Sequence, residues 1–101
     1  MVMNVEEFQR KSTEFVKTID KKVGRNHDID TTLIHVMEEL GEVSRIIYNN
    51  KTKRFTNTKE DLEGEFADTF MLLSHLATLH NIDLAKAFDD KFDDLKKRFE
   101  V

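Results

Sequence analysis

The chain has 101 residues, enough for one domain, and 39% of them are hydrophobic, enough for a modest core. Proline is absent, glycine occurs three times and charged residues reach 36%, a helix-forming profile with densely charged exposed faces. The net charge of −4, with Lys and Arg scattered, argues against nucleic-acid binding, and the lack of cysteine excludes disulfide and thiolate chemistry.

Asn4 is a good N-cap for a first helix, with Glu7 three residues on, and Val5, Phe8, Phe15, Val16 and Ile19 make its apolar stripe. Met1-Val2-Met3-Asn4 leads straight into this charged helix without a signal-peptide core, and no apolar run approaches a membrane span. A cytoplasmic protein with no membrane partner is expected. The pattern breaks between Gly24 and Asp28.

A second helix is expected after Asp30, with the stripe Leu33, Val36, Met37, Leu40, Val43 and Ile47, ending at Asn49-Asn50. Residues 51–57 are polar and basic and read as a loop. A third helix is expected from Thr58, with the stripe Leu62, Phe66, Thr69, Phe70, Leu73, Leu76 and Ala77, closing at His80-Asn81. Asp83 should cap a fourth, in which Leu84, Ala87, Phe88, Phe92, Leu95 and Phe99 recur at spacings of three or four. No linker or low-complexity tract divides residues 1–101, so one all-α domain of four helices is expected, with the second and third antiparallel.

Two acidic clusters stand out: Glu38-Glu39-Leu40-Gly41-Glu42 and Glu65-Phe66-Ala67-Asp68. Three-residue spacing puts two carboxylates on one side of a helix. At about 100° per residue, Glu39 falls among Val36, Val43 and Ile46, with Glu42 at the edge of that region. Glu65 falls among Leu62, Leu72, Thr69 and Leu76, with Asp68 one turn on. Ionised carboxylates go to such faces when paired or metal-bound. Salt bridges would need facing cations, yet Arg45 is the only one between Thr31 and Asn50, and the third helix has none after Lys59. Helices one and four, or a second subunit, could still supply them. Convergence of Glu39, Glu42, Glu65 and Asp68 would make an oxygen site for Mg²⁺ or Mn²⁺. Glu38 points further toward solvent, as an exposed acid or as a base for water.

The joint pattern, Glu-Glu-x-x-Glu, a spacer of 22 residues, then Glu-x-x-Asp, resembles the signature of the MazG-like all-α nucleoside triphosphate pyrophosphohydrolases. The similarity runs over roughly residues 30 to 100, through Glu-Leu-Gly-Glu-Val and Thr-Phe-Met-Leu-Leu to an Asn-Ile-Asp-Leu turn and a last helix with Lys91-Phe92 and Arg98-Phe99. The resemblance implies that Glu39, Glu42, Glu65 and Asp68 hold Mg²⁺, with Mn²⁺ able to substitute. It implies cleavage of a nucleoside triphosphate between the α and β phosphates, to a monophosphate and pyrophosphate. It aligns Lys91 and Arg98 with cations that contact phosphate, although solubilising surface charge explains both equally well. A homodimer or homotetramer is expected too, because Ile34, Ile46 and Met71 put apolar surface on further faces of helices two and three.

The residues three before the four histidines are Gly24, Thr32, Leu72 and Ala77, so the Glu-x-x-His pairs of a ferritin-like di-iron site are missing. A phosphoribosyl-ATP pyrophosphohydrolase shares the carboxylate logic and the bond cleaved, and a helical dimerisation module would need the stripes but not the acids. The preferred nucleotide, the number of metal ions and any role in removing damaged nucleotides stay open. Phe8, Phe15, Tyr48 and Phe55 could stack on a base, but aromatics at helical spacing are more commonly core. His35 sits on the wheel between Glu39 and Glu42 and is expected at the core edge.

Overall fold

The computed structural model describes residues 2–54 and 56–101. Four helices follow one another: α1 (Val5–Val23), α2 (Ile29–Thr52), α3 (Lys59–Leu79) and α4 (Leu84–Phe99). Phe55, the fourth candidate for base stacking, lies outside the described residues.

Local chemistry sets the helix ends. Asn4 accepts from the Glu7 backbone N–H, and Asp83 from that of Lys86. Thr58 and Asp61 make a reciprocal capping box at the start of α3. At α2 the cap is Asp28 rather than Asp30: the Thr31 hydroxyl answers the Asp28 backbone N–H while Asp28 accepts from Thr31, so the helix starts two residues early. Its far end runs past Asn49-Asn50 to Thr52, where Lys53 turns left-handed with φ 58°. Gly24 ends α1 at φ 72°, a conformation that costs glycine nothing. That turn brings Arg25 and His27 back beside the last turns of α1.

After α2 the chain returns antiparallel along it as α3. The third helix is central, packing against α2 on one side and α1 on the other, while α4 rests mainly on α1. Val16, Val36 and Leu72, one from each of the first three helices, form the apolar core. Small polar residues fill much of the remaining seam: Ser12, Thr32, Thr69, Ser74 and the almost wholly enclosed His75. Burial holds the His75 imidazole below its usual pKa, and its Nδ1 meets the Thr13 hydroxyl at 3.4 Å. Gln9 ties α1 to the α3–α4 turn, donating to the Ile82 carbonyl at 2.7 Å and accepting from the Leu84 N–H at 3.0 Å.

The apolar stripes are only half used. Val36, Val43 and Ile46 of α2 are buried, but Leu33, Met37, Leu40 and Ile47 are exposed. Phe66, Phe70 and Leu73 of α3 also face outward, and among its described residues α4 buries none. Phe15 and Tyr48, expected in the core, are exposed as well. The reason is geometric: α2 packs mainly against α3 and α4 mainly against α1, and one main neighbour covers only one face. A radius of gyration of 16.2 Å agrees with this, since a compact chain of this length would give about 13 Å.

Candidate metal centre

The α2–α3 seam brings three carboxylates together. Oxygen atoms of Glu39, Glu65 and Asp68 all lie within 4.8 Å of one another. Val36 and Val43, one turn either side of Glu39, and Ile46, two turns on, draw that face of α2 against α3, and Glu39 has to follow. Likewise Thr69 and Leu72, which are buried, carry Glu65 and Asp68 to the seam. Glu39 and Glu65 are half-buried and Asp68 is exposed, so the cluster is closed on the protein side and open to solvent on the other.

No Lys or Arg pairs with any of the three among the described residues; the one contact of this kind is His35 Nε2 to Glu39 Oε1 at 3.3 Å. One oxygen, Glu65 Oε2, is buried with no hydrogen-bond partner. Such an orphan is costly, and a proton or a cation in the cluster relieves it. The hydrogen bond shared with Glu39, burial and the repulsion of Glu39, Asp68 and Glu42 push the Glu65 carboxyl up to about 7. Burial and Glu39 also raise the Asp68 carboxyl, against a small opposing pull from His35.

The donor set suits a hard divalent cation. Around Mg²⁺, with oxygens at about 2.0–2.1 Å, adjacent ligands sit roughly 3 Å apart and opposite ones roughly 4 Å. Three oxygens within 4.8 Å of one another would have to draw closer to meet that spacing. All-oxygen ligation favours Mg²⁺ or Mn²⁺ over softer metals.

The remaining expected site residues stand elsewhere. Glu42 is one turn beyond Glu39 but is ion-paired with Arg45 and does not join the group of three. It lines a neighbouring polar cavity of about 250 Å³ with Asn49, Asp61 and Glu65, so it stays close enough to repel Glu65. Glu38 is exposed and lines a cavity with Arg25, His27 and His35. Lys91 and Arg98 lie on α4, both paired with Asp94 of their own helix, at 3.9 and 3.1 Å. Neither lines the cavity of about 250 Å³ that lies beside the carboxylates, which is bounded by Val16, Ile19, Arg25, His35, Met71 and Leu72 together with His27, Glu39 and Asp68.

Behind Glu39 a hydrogen-bonded chain runs into the protein, and sequence reasoning missed it. Arg25 Nε donates to Asp20 at 3.0 Å. His27 Nδ1 is 2.9 Å from both Asp20 oxygens, and His27 Nε2 is 2.8 Å from His35 Nδ1. Burial would raise the Asp20 carboxyl, but the hydrogen bonds and charges of His27 and Arg25 bring it below its usual value. Asp20 and Glu39 are both acceptors, so every link is satisfied when the two rings hold three N–H protons between them. The one signal available in the sequence was His35 four residues before Glu39.

Compared with known proteins, residues 27–100 match the family model described as the MazG nucleotide pyrophosphohydrolase domain. No curated protein and no solved structure gives a significant match.

Proposed function

Because this chain belongs to the MazG nucleotide pyrophosphohydrolase family, we propose that it hydrolyses a nucleoside triphosphate, ribo or deoxy, between its α and β phosphates. The observation that carries this reading is the meeting of Glu39, Glu65 and Asp68 with no Lys or Arg paired to them among the described residues. Those three, joined by Glu42 once it leaves Arg45, would hold Mg²⁺, and Mn²⁺ could take its place. The cation would offset the negative charge of the triphosphate and make a bound water more acidic.

The chain's own residues then have distinct tasks. The seam acids hold the cation and keep their oxygens turned to the open side. The exposed Glu38 accepts the proton of the attacking water. The water oxygen joins the α-phosphorus, and the bridging oxygen leaves with pyrophosphate. The wall of Val16, Ile19, Met71 and Leu72 beside the acids is apolar and would take the less charged part of the nucleotide. We keep Lys91 and Arg98 as phosphate contacts supplied across a subunit boundary. The uncovered faces of α2, α3 and α4 favour a homodimer or homotetramer, and we take the 101 residues as one domain in each subunit.

The test is release of pyrophosphate across canonical and modified nucleoside triphosphates, with phosphoribosyl-ATP included, in the presence and absence of Mg²⁺. Glu39→Ala and Asp68→Ala should each end Mg²⁺-dependent turnover without unfolding the chain. Turnover that survives both substitutions overturns the assignment. A non-enzymatic dimerisation module would show neither turnover nor a rise in melting temperature at millimolar Mg²⁺ or Mn²⁺.

A further inference from the structure

The chain behind Glu39 is an unusual investment for so small a protein. Asp20 and His27 are both more than nine-tenths buried, although charged and polar groups there add less to packing than apolar ones of the same volume. Local structure does not require them. Gly24 alone makes the turn after α1, and the Asp28–Thr31 box already secures the start of α2. Arg25 by itself gives Asp20 an ionic partner.

What the two residues accomplish is to fix a ring. His27 is clamped by both oxygens of Asp20, and its other nitrogen meets His35 Nδ1 at 2.8 Å, with the two rings inclined by only 13°. His35 is thereby held with Nε2 toward Glu39 Oε1 at 3.3 Å. We propose that Asp20 and His27 are positioning residues: through His35 they fix the orientation of the Glu39 carboxylate for the divalent cation. A carboxylate on a solvent-open seam otherwise turns freely about its last torsions. Outer partners of this kind typically change metal affinity by about 10–100-fold. The inference rests on the metal reading of the α2–α3 seam.

The experiment is a double-mutant cycle read by Mn²⁺ titration of the full chain without nucleotide, at a temperature well below melting. Calorimetry or the electron paramagnetic resonance of free Mn²⁺ gives the affinity. His35→Leu should weaken binding by about 10-fold or more. His27→Leu should weaken it comparably while His35 is present, and should add nothing once His35 is leucine. If His27→Leu does not fold, His27→Phe, which fills the ring volume, takes its place in the cycle. A merely structural role for His27 lowers the melting temperature of the metal-free protein and leaves Mn²⁺ affinity unmoved. That result overturns the proposal, and so does an equal loss in both backgrounds. If the unaltered chain binds no Mn²⁺ at all, it is the metal reading itself that fails.

Discussion

Two sets of acids in this molecule share a sequence habit and little else. On α4, Asp90 and Asp94 stand four residues apart, each with a cation one turn away: Lys86 at 2.6 Å from Asp90, and Arg98 at 3.1 Å from Asp94. All four side chains are more than half exposed. On the α2–α3 seam, Glu39, Glu65 and Asp68 face one another, and the nearby cations are engaged elsewhere, Arg45 by Glu42 and Arg25 by Asp20. The lesson is that acid spacing alone identifies nothing. The supply of partners decides whether a carboxylate pair is a solvated surface or a cluster still lacking counter-charge.

That contrast can be broken by substitution. The largest effect should come from Glu39→Ala or Asp68→Ala, with loss of turnover beyond the ~10–100-fold typical of outer partners, measured as pyrophosphate release. Asp90→Ala on α4 should leave the same assay unchanged.

A pH series sharpens the contrast next. The Glu65 carboxyl is raised from 4.5 to about 7. Between those values the folded, metal-free protein holds a proton that the unfolded chain has released. Stability from this group is therefore full below about 4.5 and is lost as pH rises through about 7. The melting temperature of the metal-free protein should fall over that window. Metal must displace the proton, so Mn²⁺ affinity should rise by roughly tenfold per pH unit up to about 7 and level off above it. A flat affinity profile from pH 5 to 8 would contradict the shared proton.

A smaller effect is expected from Glu65→Gln. At pH 8 it removes a repelling charge, so the metal-free protein should gain about 1 kcal/mol, a rise of about 4–8 °C in thermal melting. The same change should erase the stabilisation by Mn²⁺. Smaller still, Arg45→Ala frees Glu42 to turn toward the seam and should tighten Mn²⁺ binding a few-fold. The least is expected of Asp90→Ala in thermal melting, because exposed ion pairs contribute about 0–1 kcal/mol.

Much of the fold was written in local chemistry. The caps at Asn4, Thr58 and Asp83 are short-range signals and lie where the sequence places them. Asp28 displaced Asp30 as the α2 cap because Thr31 can complete a reciprocal box only with the residue three before it. The outward Phe66, Phe70 and Met37 could not be read in advance, since periodicity marks an apolar face without saying what covers it. The carboxylates of the seam were legible because their wheel positions conflict with their charge. The turn of Glu42 toward Arg45 depends on side-chain torsions that spacing does not encode. Asp20 and His27 were invisible for a different reason: their link to Glu39 exists only after the Gly24 turn folds back on α1.

The seam acids come from separate helices, with Glu39 and Glu65 divided by 26 positions of chain. A cation gripping both would act as a non-covalent staple across that loop, and the unfolded polypeptide has no equivalent binding place. Occupancy would then report complete assembly of α2 on α3, and chelators would behave toward this protein as mild denaturants.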